Sequence, residues 1–287
     1  MMPDRGGLAT YFDRWYAEMA AAPAKDEIMQ HHLRLPSYLL STSTISWDGI
    51  GELETALRLG ADSRLLDLAC GRGGIGLEIA GRAGARLIGV DVSAEAVRQA
   101  RASARRLKQE ADFHVADLTA TGLDARSVDA VLCVDSLQFA DPAEDAYREI
   151  RRVVAPGARV VLTGWEPLDG HDDRLPARLR DVDLAAGLTA AGFDDVQVSE
   201  QPEWREAERR MWQEAVELSP DRDAALQAFR EEGVRALQTF ILLRRVSATA
   251  TAPWTRDHPS TGSPCHPGKP GDRGELSRRR AGCVPGT

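Results

Sequence analysis

Apolar and polar positions along this chain follow two rhythms, and the change from one to the other predicts the architecture. Residues 8 to 59 carry a helical rhythm, broken near Pro23 and Pro36. Within it Tyr11, Phe12, Trp15, Tyr16 and Met19 recur at i, i+4 and i+7, which lays an aromatic stripe along one helix face. "STSTISWDG" reads as a polar loop, and "IGELETALRL" as a short helix closed by Gly60. Beyond Gly60, short apolar runs alternate with helical stretches. "RLLDLA", "ARLIGVD", "DFHVADL", "VDAVLCVD", "ARVVLTGW" and "FDDVQVSE" are expected as strands.

The intervening helices carry their own punctuation. Gly73 to Arg82 is expected as a helix, and Ser93 is placed to cap the next one, with Glu95 in its first turn. Asp141-Pro142 reads as a helix start with the aspartate as cap, and Pro156-Gly157 as the turn into the fifth strand. "DLAAGLTAAG" is a helix closed by Gly192, and residues 203 to 242 are mostly helical. A last strand is expected in "LLRRVSATA", where Leu242 to Val246 could equally extend the preceding helix. Repeated strand–helix–strand units imply an α/β fold: a mainly parallel sheet of seven strands with helices on both faces.

Composition narrows the function classes. A net charge of -8 argues against a duplex nucleic-acid binder, whose affinity comes mainly from basic contacts to phosphate. No stretch approaches the roughly 18 unbroken apolar residues of a membrane span. The first residues lack the apolar core of a signal peptide, and the four cysteines show no zinc-type pairing, so a reduced, cytoplasmic setting is expected. After Ala252 the chain is rich in Pro, Gly, Ser and Arg and nearly empty of aliphatics. That composition predicts a disordered tail over 252–287, following an N-terminal helical lid (1–59) and a core (60–251).

"LLDLACGRGG" is the most informative stretch, a strand running into a glycine-rich turn. Gly71, Gly73 and Gly76 formally match the dinucleotide pattern G-x-G-x-x-G, with Asp91 about twenty residues on. Asp67 opposes that reading, because a carboxylate at the strand end repels pyrophosphate and welcomes an ammonium or sulfonium. The turn, Asp67-Leu68-Ala69-Cys70-Gly71-Arg72-Gly73, resembles the first motif of the class I S-adenosylmethionine-dependent methyltransferases, with Ala69 in place of a glycine.

That resemblance implies a Rossmann-like fold, S-adenosyl-L-methionine as cofactor, and roles for residues that match later motifs. Asp91, with Val92 after it, would meet the ribose hydroxyls, Asp117 the adenine amino group, and the Leu118 N–H a ring nitrogen. Cys133, Asp135 and Gln138 would lie beside the methionine part of the cofactor.

Methyl transfer from a sulfonium needs alignment and exclusion of water, and a base where the acceptor is a hydroxyl or a neutral activated carbon. The base candidates are His171, one of the adjacent pair His31 and His32, and Glu166. Catechol-type enzymes hold magnesium near the places of Asp135 and Glu166. Two oxygens make a thin ligand set, and no metal is expected. The segment Glu203 to Gln238 has the right position for one wall of the acceptor site, although "WREAERRMWQEA" reads more simply as a solvated helix face. The partner implied is a small-molecule acceptor, with no nucleic acid and no membrane. Some relatives act in natural-product biosynthesis. A cyclase or non-catalytic subunit that keeps the cofactor fold is the alternative reading. A nicotinamide-dependent dehydrogenase is a third, disfavoured by Asp67.

Overall fold

The computed structural model describes residues 7–21, 23–219 and 223–254, and the expected tail lies outside them apart from its first three residues. Four parallel ladders join β1 (Arg64–Leu68), β2 (Arg86–Asp91), β3 (Ala111–Val115), β4 (Val128–Val134) and β5 (Val154–Pro167). The sheet is completed by β6 (Asp194–Glu200) and β7 (Leu243–Thr251), in the order β3-β2-β1-β4-β5-β7-β6. β7 runs antiparallel to both of its neighbours. The "LLRRVSATA" run is therefore strand rather than helix extension.

Each strand feeds one of two cores. In β4, Ala130, Leu132 and Val134 face one core while Val131 and Cys133 face the other, the period-two alternation of a pleated strand. The second core is closed by α6 (Ala143–Val153) and α8 (Leu184–Ala190). The first is closed by α3 (Trp47–Leu57), α4 (Gly74–Ala83), α5 (Ala94–Leu107) and the long helix α9 (Pro202–Glu217). Trp204 of α9 packs so closely on α3 that a Cβ on Gly49 would stand 2.9 Å from its ring.

Two expected boundaries differ. Asp141 does not cap α6, because Pro142 itself occupies the N-cap position and the helix opens at Ala143, with Glu144 and Asp145 in its first turn. Pro156-Gly157 is not a turn before β5. It lies inside that strand, where the register against β4 shifts between Val128 and Ala130, and Gly157 N–H donates to the Ala252 carbonyl.

The N-terminal helices α1 (Leu8–Ala20) and α2 (Pro23–Leu33) are fastened over the carboxyl ends of the strands. Asp13 of α1 sits at the start of α5, accepting from the Ser93 hydroxyl at 2.6 Å and the Glu95 N–H at 3.0 Å. Asp26 of α2 takes the buried Arg72 guanidinium at 2.7 and 2.9 Å. α2 also packs on α9 and on α10 (Ala224–Thr239), and residues up to Trp254 form one compact unit. Among the described residues no helix is long and apolar enough to cross a membrane.

Candidate active site

The strand order reverses between β2 and β4 on either side of β1, the place where an open α/β sheet presents a crevice at its carboxyl edge. A cavity of about 1130 Å³ lies there, reaching from the β1 and β2 ends to α9 and α10 under the N-terminal helices. Its two ends are chemically different.

The first end is built by the glycine-rich turn. Ala69 and Gly71 both take positive φ, 61° and 53°, so the chain turns sharply between β1 and α4. A side chain at Gly74 would put its Cβ 2.2 Å from the Leu40 carbonyl oxygen, and one at Gly76 2.3 Å from an Asp67 oxygen. Both glycines are thus required by close approach. Asp67 and Asp91 stand at the ends of adjacent strands, each at most 5% exposed. Burial and the neighbouring Asp91 charge push the Asp67 carboxyl up to about 7. Burial likewise lifts Asp91 to about 6, against the backbone N–H groups that it accepts. Those donors are Gly71 N–H at 2.8 Å, Ser93 N–H at 2.9 Å and the Val92 N–H. Asp117 accepts from the N–H and hydroxyl of Thr119 at 2.8 and 2.6 Å. With Val92, Leu118, Asp135 and Gln138 it lines the cavity.

This donor set fits an adenosyl sulfonium. Two buried carboxylates welcome positive charge and hydroxyl donors and oppose a pyrophosphate.

Not every residue expected here arrives. Cys133 is fully buried in the second core, because the alternation that turns Leu132 and Val134 toward the cavity side turns Cys133 away. Gly73 does not line the cavity: its φ of 78° serves the entry to α4, and a Cβ on it would stand 3.1 Å from Ala100 and 3.3 Å from the Phe113 ring. The four base candidates also lie elsewhere. Glu166 is one residue out of phase with Trp165 on β5, so Trp165 lines the cavity while Glu166 faces α8. There it accepts from Leu184 N–H at 2.9 Å and from Arg244 at 2.8 Å. His171 is exposed on its loop, where its N–H donates to Asp169. His31 is exposed, and His32 pairs with Glu214 at 2.7 Å. No described histidine lines the cavity. Among the described residues there is no cluster of metal-ligating side chains either.

The second end is aromatic, with Phe12, Trp15, Trp165, Trp212, Phe229 and Phe240 in its walls. Tyr11 and Trp15 of the α1 stripe also line the cavity, while the buried Tyr16 hydroxyl stands at the glycine turn, beside Gly71 and Asp91. Protein cations stand over several of these rings, Lys25 from within the cavity wall. Lys25 stands 5.0 Å over Trp15 and 4.9 Å over Phe229, and Arg245 5.3 Å over Trp165. Burial lowers the Lys25 ammonium pKa, opposed by Glu232 at 3.6 Å. At the floor, fully buried Arg245 grips Asp135 with both terminal nitrogens, at 2.5 and 2.7 Å, and the Thr163 hydroxyl donates to Asp135 at 2.7 Å. Glu208 lies beside them, 6% exposed.

The sequence reading passed over Glu208, Arg245 and Lys25. A signal for Glu208 was present: Trp204, Glu208, Met211, Trp212 and Ala215 form a single buried stripe along α9, so Glu208 sits in the apolar face among otherwise solvated charges.

The fold and cavity define a class, and comparison with known proteins agrees. Residues 65–157 match the family described as "Methyltransferase domain". Over that segment the chain carries a domain of the class I S-adenosylmethionine-dependent methyltransferase type. Botryococcene C-methyltransferase of Botryococcus braunii is 27% identical over 149 residues, 51% of this chain and 39% of that protein. The chain thus spans well under half the length of that curated relative. Phosphoethanolamine N-methyltransferase 2 of Haemonchus contortus, solved with S-adenosyl-L-methionine, superposes with a TM-score of 0.63 at 19% identity, over 72% of this chain and 53% of that one. The [4+2]-cyclase SpnF superposes with a TM-score of 0.59 at 24% identity, over 72% of this chain and 80% of that one. Both likenesses are of fold.

Proposed function

We propose that the protein transfers a methyl group from S-adenosylmethionine to O, N or C of a small, largely apolar acceptor. The observation that carries this reading is a single cavity whose walls hold both the buried carboxylates and the aromatic side chains. The cofactor supplies an electrophilic methyl on a sulfonium. In this reading Asp91 takes the ribose hydroxyls, Asp117 and the Leu118 N–H take the adenine, and Asp67 balances positive charge. Gln138, whose amide donates to the Asp135 carbonyl at 2.6 Å, borders the methionine portion. The aromatic walls orient the acceptor and keep water from the reacting atoms. A likeness to C- and N-methyltransferases supports the reaction class, as does the size of the cavity, above the usual range for a single ligand.

Calorimetric titration with S-adenosylhomocysteine, with NAD in a parallel cell, tests it. Micromolar binding of the first and silence from the second is the expected result. Binding of NAD alone would overturn the proposal. The fold shared with a [4+2]-cyclase favours a second reading, cofactor retention without methyl transfer. Conversion of bound S-adenosylmethionine to S-adenosylhomocysteine during turnover separates the two.

A further inference from the structure

Asp135 and Glu208 share one cation at the cavity floor, and they share it unequally. Arg245 gives both terminal nitrogens to Asp135, while its Nε stands 4.0 Å from Glu208 and has no hydrogen-bond partner. Glu208 is instead held by two neutral donors, the Thr44 hydroxyl at 2.5 Å and the Trp212 indole N–H at 3.0 Å. When ionised, this cluster of two carboxylates and one guanidinium carries a net negative charge in a buried place. Burial raises the Glu208 carboxyl pKa, and Arg245 only partly offsets that. A carboxylate so placed is a stronger base than an exposed glutamate, and it stays ionised only where something donates to it.

Three elements that are distant in sequence converge on it: the loop carrying Thr44, α9 and β7. Its side chain borders the aromatic end of the cavity, together with Trp165 and Trp212. The rings around it already have cations over them, Arg245 on Trp165 and Arg205 on Phe240, which weakens their attraction for a cationic guest. An anionic guest meets the uncompensated charge. A neutral apolar molecule with one polar hydrogen suits both the rings and the carboxylate.

Resting on the methyltransferase reading, we propose that Glu208 is the acceptor-site base, and that the acceptor is a neutral apolar molecule presenting one O–H or N–H to it. Arg245 is a positioning residue, holding Asp135 and leaving Glu208 free to receive a proton. In the step, the acceptor heteroatom bonds to the methyl carbon as the carbon–sulfur bond breaks, its electron pair remaining on sulfur. The acceptor's proton passes to a Glu208 oxygen, so charge and atoms balance.

The test uses the full chain saturated with S-adenosylhomocysteine and three probes of one shape, measured by calorimetry. 2-Naphthol carries the donor, 2-methoxynaphthalene lacks it, and 2-naphthoate is the anion. Naphthol should bind at least tenfold more tightly than its ether, and naphthoate most weakly. Glu208→Gln keeps an oxygen for Trp212 and an amide for Thr44, so homocysteine-cofactor affinity should be unchanged while the naphthol preference falls below about threefold. The wild-type preference should also fade as pH drops and Glu208 takes a proton, whereas the Gln variant's should not vary with pH. Equal binding of naphthol and ether, tighter binding of naphthoate, no binding of any probe, or a preference unaltered in Glu208→Gln would each overturn the assignment. A protein that fails to bind S-adenosylhomocysteine would instead sink the methyltransferase reading, and the probe series read without cofactor would still judge Glu208.

Discussion

The two ends of the cavity are made in opposite ways. The end proposed for the cofactor draws Asp67, Ala69, Gly71, Asp91 and Asp117 from strand ends and the turns that follow them, each placed by its own short segment. The end proposed for the acceptor rests on Thr44, Asp135, Glu208 and Arg245, which come together only when a loop, two strands and a late helix have docked. Local construction makes the first end resistant to drift in distant sequence. Long-range construction makes the second adjustable, since a change on α9 or β7 reshapes the acceptor floor while the glycine turn keeps its form.

The largest expected effect breaks the first end. Asp91→Ala removes the acceptor of Gly71 N–H and Ser93 N–H as well as the proposed ribose contact. Affinity for S-adenosylhomocysteine should fall by more than tenfold in calorimetry. The melting temperature should drop by several degrees, because unpaired buried N–H groups cost roughly 1–3 kcal/mol each.

A second variant sharpens the electrostatic side of the contrast. Asp67 titrates near 7 in the fold, above its ordinary value. A carboxyl raised in this way adds stability that is full below the unfolded pKa and is lost as pH climbs through the folded one. Asp67→Asn should therefore gain stability relative to wild type between about pH 4 and pH 7 and hold that gain above. Melting curves of both proteins across this window check the sign, and a difference that shrinks with rising pH would refute it. The same variant should bind S-adenosylmethionine more weakly at pH 8, having lost a negative charge beside a cation.

The smallest effect falls outside both ends. His171→Ala should leave cofactor affinity unchanged and melting within about 0.5 kcal/mol of wild type, as expected of an exposed loop residue. A large loss of turnover in this variant would mean that the loop carrying His171 folds into the cavity during reaction.

The same contrast explains what could be read from sequence. "LLDLACGRGG" and "LIGVDVS" encode strand, turn and cap within ten residues, so the strands and the placing of Asp67 and Asp91 at their ends were legible. The parity of β4 and β5 is equally legible in the alternation of their apolar residues. It sends Cys133 and Glu166 to the face away from the cavity. The histidines were nominated for their chemistry alone, and tertiary docking put His32 on Glu214 and left His31 and His171 at the surface. Arg245 gave no local sign, because an arginine in a strand becomes a buried floor only through Asp135, 110 residues earlier.

β7 lies between β5 and β6 in the sheet yet follows both in the chain. During synthesis, five parallel strands can assemble while the free edge of β5 waits for residues 243–251. β6 has no strand to pair with until they emerge, since its only ladder is to β7. At translation rates of roughly 5–20 residues per second, the 75 residues between β5 and β7 (168–242) leave that edge open for seconds. An unpaired central edge is a template for association with other chains. The topology thus permits a nascent stage in which the parallel part of the sheet is built and its β5 edge is still adhesive, ended by the same strand that brings Arg245 to Asp135.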